Sequence, residues 1–401
     1  MLQLIVIAWR NVWRNARRSL ITMITLSLGV AGLVGLNSYR QVAFDMILHD
    51  VTAGLIGHIQ VHGLGYQEAP AVTTVVKHPV QVEAALRGAL PGALVERRVI
   101  GAGLAGAGDR SAPVMMLGLE PGPSHLYRVV EGELLSAART VLVGKELARD
   151  LEVGVGQEVV LVSQAADGSV ANDRYRVGGI FVSSSAELDA AAVALPLAEA
   201  QSFFALGEGV HQIVVRLPTE RDDVSAEVSA VRTALDLKTL EALSWSEILP
   251  EMTQTIESKK KSKGVLDFVI FLIVGLGVLN AMTMAVFERT HELGVLASLG
   301  TRPRRLLAMV LLEAFWQAAI GFALGVVIAT ATLYAVGTVD LGTIMQGDIM
   351  GVRMPSRMVL RLYPETLIGA AFTSFLTALL GALIPAARAA RLKPVEALRH
   401  A

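Results

Sequence analysis

The chain has no cysteine. Its water-facing part must therefore hold together through its core rather than through disulfides. There is also no thiol to carry a lipid, which excludes a lipoprotein. Charge is nearly balanced, with 35 Lys and Arg against 36 Asp and Glu and a net charge of -1, so bulk charge gives no reason to expect a nucleic-acid partner. Catalytic signatures are missing too. No G-x-x-x-x-G-K-[ST] phosphate loop occurs; Gly144-Lys145 follows an apolar run, but Glu146 stands where Ser or Thr would hold magnesium. That pair reads as a strand-to-helix turn. No G-x-S-x-G or H-E-x-x-H appears. His58 and His62 fall on one face of an expected strand, but four strand residues span ~13 Å. One metal cannot reach both, and they are expected as surface histidines. Neither a catalytic nor a metal site is expected, and no internal repeat is visible.

What is present is hydrophobic length. Apolar residues make up 53% of the chain, and four runs stand out at 19–39, 264–287, 306–337 and 366–386. Each has about 20 or more mostly apolar residues, enough to cross a bilayer's hydrocarbon. The first is too long for a cleaved signal's apolar core and is read as a retained anchor. Arginines flank these runs at Arg10, Arg14, Arg17 and Arg18, at Arg289, Arg302, Arg304 and Arg305, and at Arg388, Arg391 and Arg399 with Lys393. The positive-inside rule makes all three clusters cytoplasmic, with both termini inside and residues 40–263 outside. Lys259, Lys260, Lys261 and Lys263 run against the rule, but long translocated domains obey it weakly. Residues 1–18 read as an interfacial amphipathic helix, with Leu2, Ile5, Val6, Trp9, Val12, Trp13 and Ala16 on one stripe. Asp267, Asn280, Glu313 and Gln317 are the polar groups within the runs. Asp267 and Glu313 lie too near the ends to form a proton relay in series. Gly321 and Gly325 offer a small-xxx-small face for helix packing.

The 40–263 segment reads as mixed α/β. Strands are expected at 57–62, 113–119, 140–144, 158–163, 175–181, 191–195 and 212–217. Helices are expected at 80–90, 145–150, 197–206 and 223–235. Pro79 suits the first helical turn, and Pro91-Gly92 stops that helix. Strand–helix pairs at both ends flank a β-rich middle, at about 111–200. This predicts two subdomains, the middle one inserted in the other.

Two stretches are more specific. Glu288-Arg289-Thr290-His291-Glu292-Leu293-Gly294-Val295-Leu296-Ala297-Ser298-Leu299-Gly300 resembles the ER-x-x-E-[IL]-G-x-L-x-A-x-G signature of the MacB/FtsX/Lol permeases, the type VII ABC transporters. The tail from Pro385 through Arg388, Pro394, Glu396, Leu398 and Arg399 is similar to their closing P-A-x-x-A-x-x-x-x-P-[VI]-E-A-L-R. Residues 8–18 resemble their first helix, and 141–157 the middle of their periplasmic domain. Ser298 replaces the usual Ala, and Gln157 a common Asp. The overall plan, with 57–61 and the 401-residue length, looks most like the lipoprotein-releasing (Lol) members.

The resemblance implies an integral membrane α-helical protein with four transmembrane helices and a large α/β periplasmic domain of two subdomains inserted between spans 1 and 2. The remaining segments are a cytoplasmic coupling loop at 288–305, a periplasmic loop at 338–365 and a cytoplasmic tail at 387–401. It implies an inner-membrane permease that is not itself an enzyme and carries no cofactor. ATP and magnesium would be bound by a partner ABC ATPase dimer. Glu288, Arg289, Glu292, Leu293, Gly294, Leu296 and Gly300 would couple to that dimer, with help from the tail. Implied partners are a second permease copy or paralogue, membrane lipids, a periplasmic acceptor, and lipoprotein or other hydrophobic cargo. MacB-like export of peptides or drugs, or FtsX-like signalling without transport, are the alternatives. The outer halves of spans 1 and 2 are the expected cargo lining, at Leu33, Leu36, Asn37, Asp267, Phe268 and Phe271.

Overall fold

The computed structural model describes residues 2–14, 16–136, 138–183, 185–218, 223–340 and 357–391. In chain order the elements are α1 (Leu2–Arg14), α2 (Ala16–Ala53), β1 (Ile59–Gly63), α3 (Pro79–Ala89), β2 (Leu94–Ala107), β3 (Arg110–Leu119), β4 (Tyr127–Gly132), β5 (Thr140–Gly144), α4 (Lys145–Asp150), β6 (Glu158–Gln164), β7 (Val170–Ser183) and α5 (Ala186–Ala191). Then come β8 (Ala192–Pro196), α6 (Leu197–Phe203), β9 (Gln212–Arg216), α7 (Ser225–Ala234), β10 (Leu240–Ser244), α8 (Trp245–Ile248), α9 (Pro250–Glu288), α10 (Thr290–Ser298), α11 (Pro303–Val336), the short pair β11 (Thr338–Asp340) and β12 (Arg357–Val359), and α12 (Pro364–Ala390). The chain divides into a helical unit and a sheet-containing unit, the second built from residues 45–255 and 340–356.

In the helical unit, four helices are long and apolar enough to cross a membrane, over Ser19–Met46, Gly264–Glu288, Pro303–Val336 and Pro364–Ala390. The apolar runs at 19–39 and 264–287 sit inside longer helices. α2 has 38 residues and α9 has 39, about 57 Å each at the α-helical rise, far more than ~30 Å of hydrocarbon needs. Helix propensity carries on through Gln41–Ala53 and Met252–Lys263, which are polar enough to leave lipid but contain no breaker. The core joins Leu26, Val278, Met282, Leu293, Met309, Val310 and the alanines of α12. Small residues permit close approach: a Cβ built at Gly321 would lie 2.7 Å from Leu26 Cβ, and one at Gly325 2.7 Å from the Ser27 carbonyl. Both glycines thus face α2. α1 packs along α11, burying Ala8, Asn11 and Val12 and setting Trp9 edge-on to Trp316, while Val6 and Trp13 stay exposed.

The other unit holds a mixed sheet in the order β10-β1-β9-β2-β3-β8-β5-β7-β4, with β6 pairing both β2 and β7. β2 serves two subdomains. Its first half, from Leu94 to Arg98, pairs antiparallel with β9; its second half, from Val99, pairs with β3. Because β6 bridges β2 and β7, the strands β2-β3-β8-β5-β7-β6 form a closed ring, with β3–β8 and β5–β7 parallel. β2 was absent from the strand expectations because Gly101, Gly103, Gly106 and three alanines give it a poor strand composition. Tertiary packing overrides this, since Phe204 fills the space beside Gly101. Gly144 caps β5 into α4 as a strand-to-helix turn.

The expectation of surface histidines is overturned. All five residues of β1 are buried, and so is His58. β1 lies between β10 and β9, and both its faces are covered. His62 lies against Tyr66 with the rings tilted by 49°, bonds to Gln60 at 2.8 Å and lies 3.7 Å from Glu241. His211 stacks on Tyr66. Among the described residues no group of three His, Cys, Asp or Glu side chains is placed to hold a metal.

Candidate functional site

The segment after α9 turns twice within a few residues. α10 ends in a Schellman motif: Thr301 N–H donates to the Leu296 carbonyl at 3.1 Å and Gly300 N–H to the Ala297 carbonyl at 3.0 Å, with Gly300 at φ +83°. That left-handed position suits glycine. Pro303 then opens α11 at its first turn, where the missing N–H costs nothing. The result is a nine-residue helix held between two long ones.

The residues expected to couple divide into two groups. Leu293 and Gly294 are buried, and Leu296 packs against the same core. They fasten α10 to the bundle and are not available as surface contacts. Glu288, His291, Glu292, Leu299 and Gly300 are exposed, Leu299 at 77%, beside exposed Arg302, Arg304 and Arg305. Arg289 is turned inward. It donates to Glu313 on α11 at 2.9 Å and reaches Glu292 at 3.3 Å. Glu292 also pairs with Arg14 at the end of α1. The Arg14 hydrogen bond, more than any other influence, holds the Glu292 carboxyl below its usual range, and Arg289 adds to it. An ion-pair chain therefore runs Arg14–Glu292–Arg289–Glu313 across α1, α10 and α11. Sequence reading missed Arg14 as a partner because its charge was already explained by membrane topology. Pro385 is buried inside α12 rather than lying at a tail, and Arg388 is exposed on the same helix. Pro394, Glu396, Leu398 and Arg399 lie outside the described residues.

At the other end of α2 and α9 the expected lining residues separate. Leu33 packs with Val30, Val34, Ala329 and Ala370 in the bundle, so it is a core residue of the helices. Leu36 and Asn37 are half-buried. Asn37 Nδ2 lies 3.5 Å from Asp267 Oδ1, and Arg40 lies 4.0 Å from the same carboxylate. Phe268 is exposed and stacks on Phe271. The polar trio is loosely joined, with Asn37 Oδ1 and Arg40 Nη1 buried without a hydrogen-bond partner, and it leaves the two rings as the apolar surface there.

The sheet unit receives α2 and releases α9 at neighbouring strands. β1 follows α2, β10 precedes α8 and α9, and they pair antiparallel with Ile59 opposite Ser244. Ser244 and Glu247 form a capping box at α8, and Arg232 donates to Glu247 and to the Ala242 carbonyl. Beside β1, the buried Arg98 and Arg216 and the half-buried Glu96 form a cluster that no sequence motif announced. Arg98 is fully buried; burial pushes it down to about 10 while Glu96 opposes the fall, so it stays charged. Burial would raise Glu96, but the two arginines hold it below its usual range.

The family profile described as MacB-like periplasmic core domain matches residues 19–231, and the profile described as FtsX-like permease C-terminal matches residues 264–394. The macrolide export ATP-binding/permease protein MacB of Agrobacterium fabrum is 23% identical over 96% of this chain and 59% of its own length. The pyoverdine export ATP-binding/permease protein PvdT of Pseudomonas entomophila is 26% identical over 99% of this chain and 60% of its own. The chain thus spans about three fifths of the curated relatives it matches. The crystal structure of the periplasmic region of MacB from Actinobacillus actinomycetemcomitans covers 53% of this chain and 97% of that one at 13% identity, with a TM-score of 0.36.

Proposed function

Since the chain belongs to the MacB/FtsX/Lol family of ABC transporter permeases, we propose that it converts ATP hydrolysis by a separate ABC ATPase dimer into movement of its outer domain, and so extracts lipoproteins from the outer leaflet of the inner membrane. Two permease subunits, identical or paralogous, would face each other around the cargo, with both termini in the cytoplasm. A periplasmic acceptor would take the lipoprotein on.

The observation that carries the coupling part is the split in α10. Its inner face shares the bundle core through Leu293, while Glu292 and Leu299 are presented outward. A subunit pressing on the outer face would displace the core of α9, α11 and α12 together, since close-packed interiors transmit displacement rather than absorb it. The competing explanation is that Glu292 serves only its ion pair with Arg14, and exposed pairs are worth ~0–1 kcal/mol. In reconstituted complexes Glu292→Lys is expected to abolish stimulated ATP hydrolysis or release the ATPase, with the chain still folded. Arg14→Gln breaks the same pair and is expected to leave hydrolysis near normal. Unchanged hydrolysis in Glu292→Lys sinks the docking assignment.

The cargo reading draws support from Phe268 and Phe271, which could hold acyl chains at about 0.8 kcal/mol per buried CH₂. Photo-crosslinkers at positions 36 and 268 are expected to capture acylated peptide during turnover. Adducts of phospholipid alone would discard this lining. The names of the relatives, macrolide and pyoverdine exporters, support the second reading, export of a peptide or small molecule, and adducts of a non-acylated compound would favour it.

A further inference from the structure

We propose that Gln60, Arg98 and Arg216, with Glu96 between the arginines, are positioning residues that clamp the C-terminal turn of α2 to the sheet and turn that long helix into a lever on the outer domain. The inference rests on the coupling reading above and names the joint that the reading requires.

The geometry begins with strand periodicity. Gln60 pairs with Val214, and Val214 with Glu96; Gln212 pairs with both His62 and Arg98, and Arg216 with Leu94. Side chains alternate between faces along a strand. Gln60, Glu96, Arg98 and Arg216 therefore share one face of three adjacent strands, β1, β9 and β2. Arg97 points to the opposite face and pairs there with Glu83 and Glu120. A helix end leaves its last carbonyls without partners and carries partial negative charge. Here the three strands take up the carbonyl of Thr52, in the last turn of the helix, and those of the turn that follows it. Arg216 donates to Thr52 O at 3.3 Å and Gly54 O at 2.9 Å; Arg98 donates to Leu55 O at 2.6 Å; Gln60 donates to Leu55 O at 3.2 Å and Ile56 O at 2.7 Å. Glu96 braces both guanidinium groups, at 2.8 Å from Arg98 and 2.7 Å from Arg216.

Stability alone is a poor explanation of this arrangement. Replacing a buried Arg–Glu–Arg triad by packed apolar residues is often neutral or stabilising, because desolvation offsets much of the ionic attraction. An apolar joint would let the helix rotate or slide against the sheet. Directional bonds to four positions within five residues of the chain fix its rotation and register, as a lever requires. His58 N–H, donating to Val215 O at 2.9 Å, then hands the chain directly to β1.

The test uses the full chain in nanodiscs, taking advantage of its lack of cysteine. Spin labels at positions 46 and 109 report the joint, and labels at 109 and 238 report the sheet unit itself. The wild type is expected to give a narrow 46–109 distance distribution. It is expected to broaden severalfold in Arg98→Met and in the triple variant Glu96→Leu/Arg98→Met/Arg216→Leu, with the 109–238 distribution and the unfolding transition of the triple variant unchanged. In complexes with the co-purified ATPase subunit, vanadate-trapped nucleotide should leave the wild-type 46–109 distribution narrow and unmoved, because a clamped joint moves as one body, and should shift the distance between labels at 109 and 336 in the wild type only, while both forms still hydrolyse ATP. A folded triple variant with a wild-type distribution and shift overturns the clamp. So does failure of both variants to fold, which would make the cluster a folding determinant. Absence of any nucleotide-driven shift in the wild type overturns the coupling reading itself, and the clamp with it.

Discussion

His62 carries a pH dependence that can be worked out from its surroundings. Burial pushes its pKa down to about 4, against the pull of Glu241, while an unfolded histidine titrates near 6.5. The unfolded chain therefore binds the proton first, so stability is full above about pH 6.5 and falls as pH drops toward 4. The loss at this one residue is on the order of 3 kcal/mol at the acid end. His211, lowered in the same direction chiefly by burial, adds to it. Denaturant unfolding of the full chain at pH 7.5 and 4.5 should show this drop, and His62→Gln should shrink the difference. An identical difference in the variant would rule His62 out as its source. The sequence showed that His58 and His62 share a strand face, and it excluded a common metal. It did not show what covers that face, because the cover comes from the end of α2 and from Tyr66, brought there by the fold. The Arg98–Glu96–Arg216 cluster was illegible for the same reason: Glu-Arg-Arg in a strand reads as a solvated face until a helix end is laid on it.

Among elements, the contact of α11 with α2 is sharply constrained. A Cβ at Gly325 would stand 2.6 Å from Val30 Cβ. Gly325→Leu should therefore force the two helices apart and destabilise the bundle by about 1–3 kcal/mol, the usual cost of overpacking. A lowered melting temperature of the detergent-solubilised chain checks this, and an unchanged one refutes the packing. Gly369 has open space around its Cβ position, so Gly369→Ala is the control and should be neutral or slightly stabilising. This glycine pair was legible because spacing of four on a helix is a local signal. So were β5 and α4, where an apolar run meets Gly144. β2 was not, since its glycines and alanines disguise a strand and its first half pairs with β9, over a hundred residues away. In α10 the legible part was the turn at Gly300. The burial of Leu293 and Gly294 was hidden, because a nine-residue helix with apolar residues on more than one side does not declare its inner face.

At the scale of the whole molecule, four long apolar runs were unmistakable from composition, and so was the insertion of one large domain between the first two. The closed ring of strands was not, because β6, the hairpin partner of β7, closes it only through long-range register with β2. The orientation is open to a direct test. Single cysteines at positions 295 and 165 should behave oppositely in intact spheroplasts, an impermeant maleimide reaching 165 and leaving 295 untouched. The reverse pattern would invert the topology and remove the cytoplasmic docking of α10. The pairing of β1 with β10 has a wider meaning. The chain enters and leaves the outer domain on adjacent strands, so the ends of the insert stay together whatever lies between them. Lengthening such a segment adds little closure entropy, which grows only with the logarithm of length. Everything from β3 to β8 can thus be enlarged, trimmed or exchanged without pulling α2 away from α9. A membrane engine built on this plan can acquire new clientele by grafting, while its helices go on evolving separately.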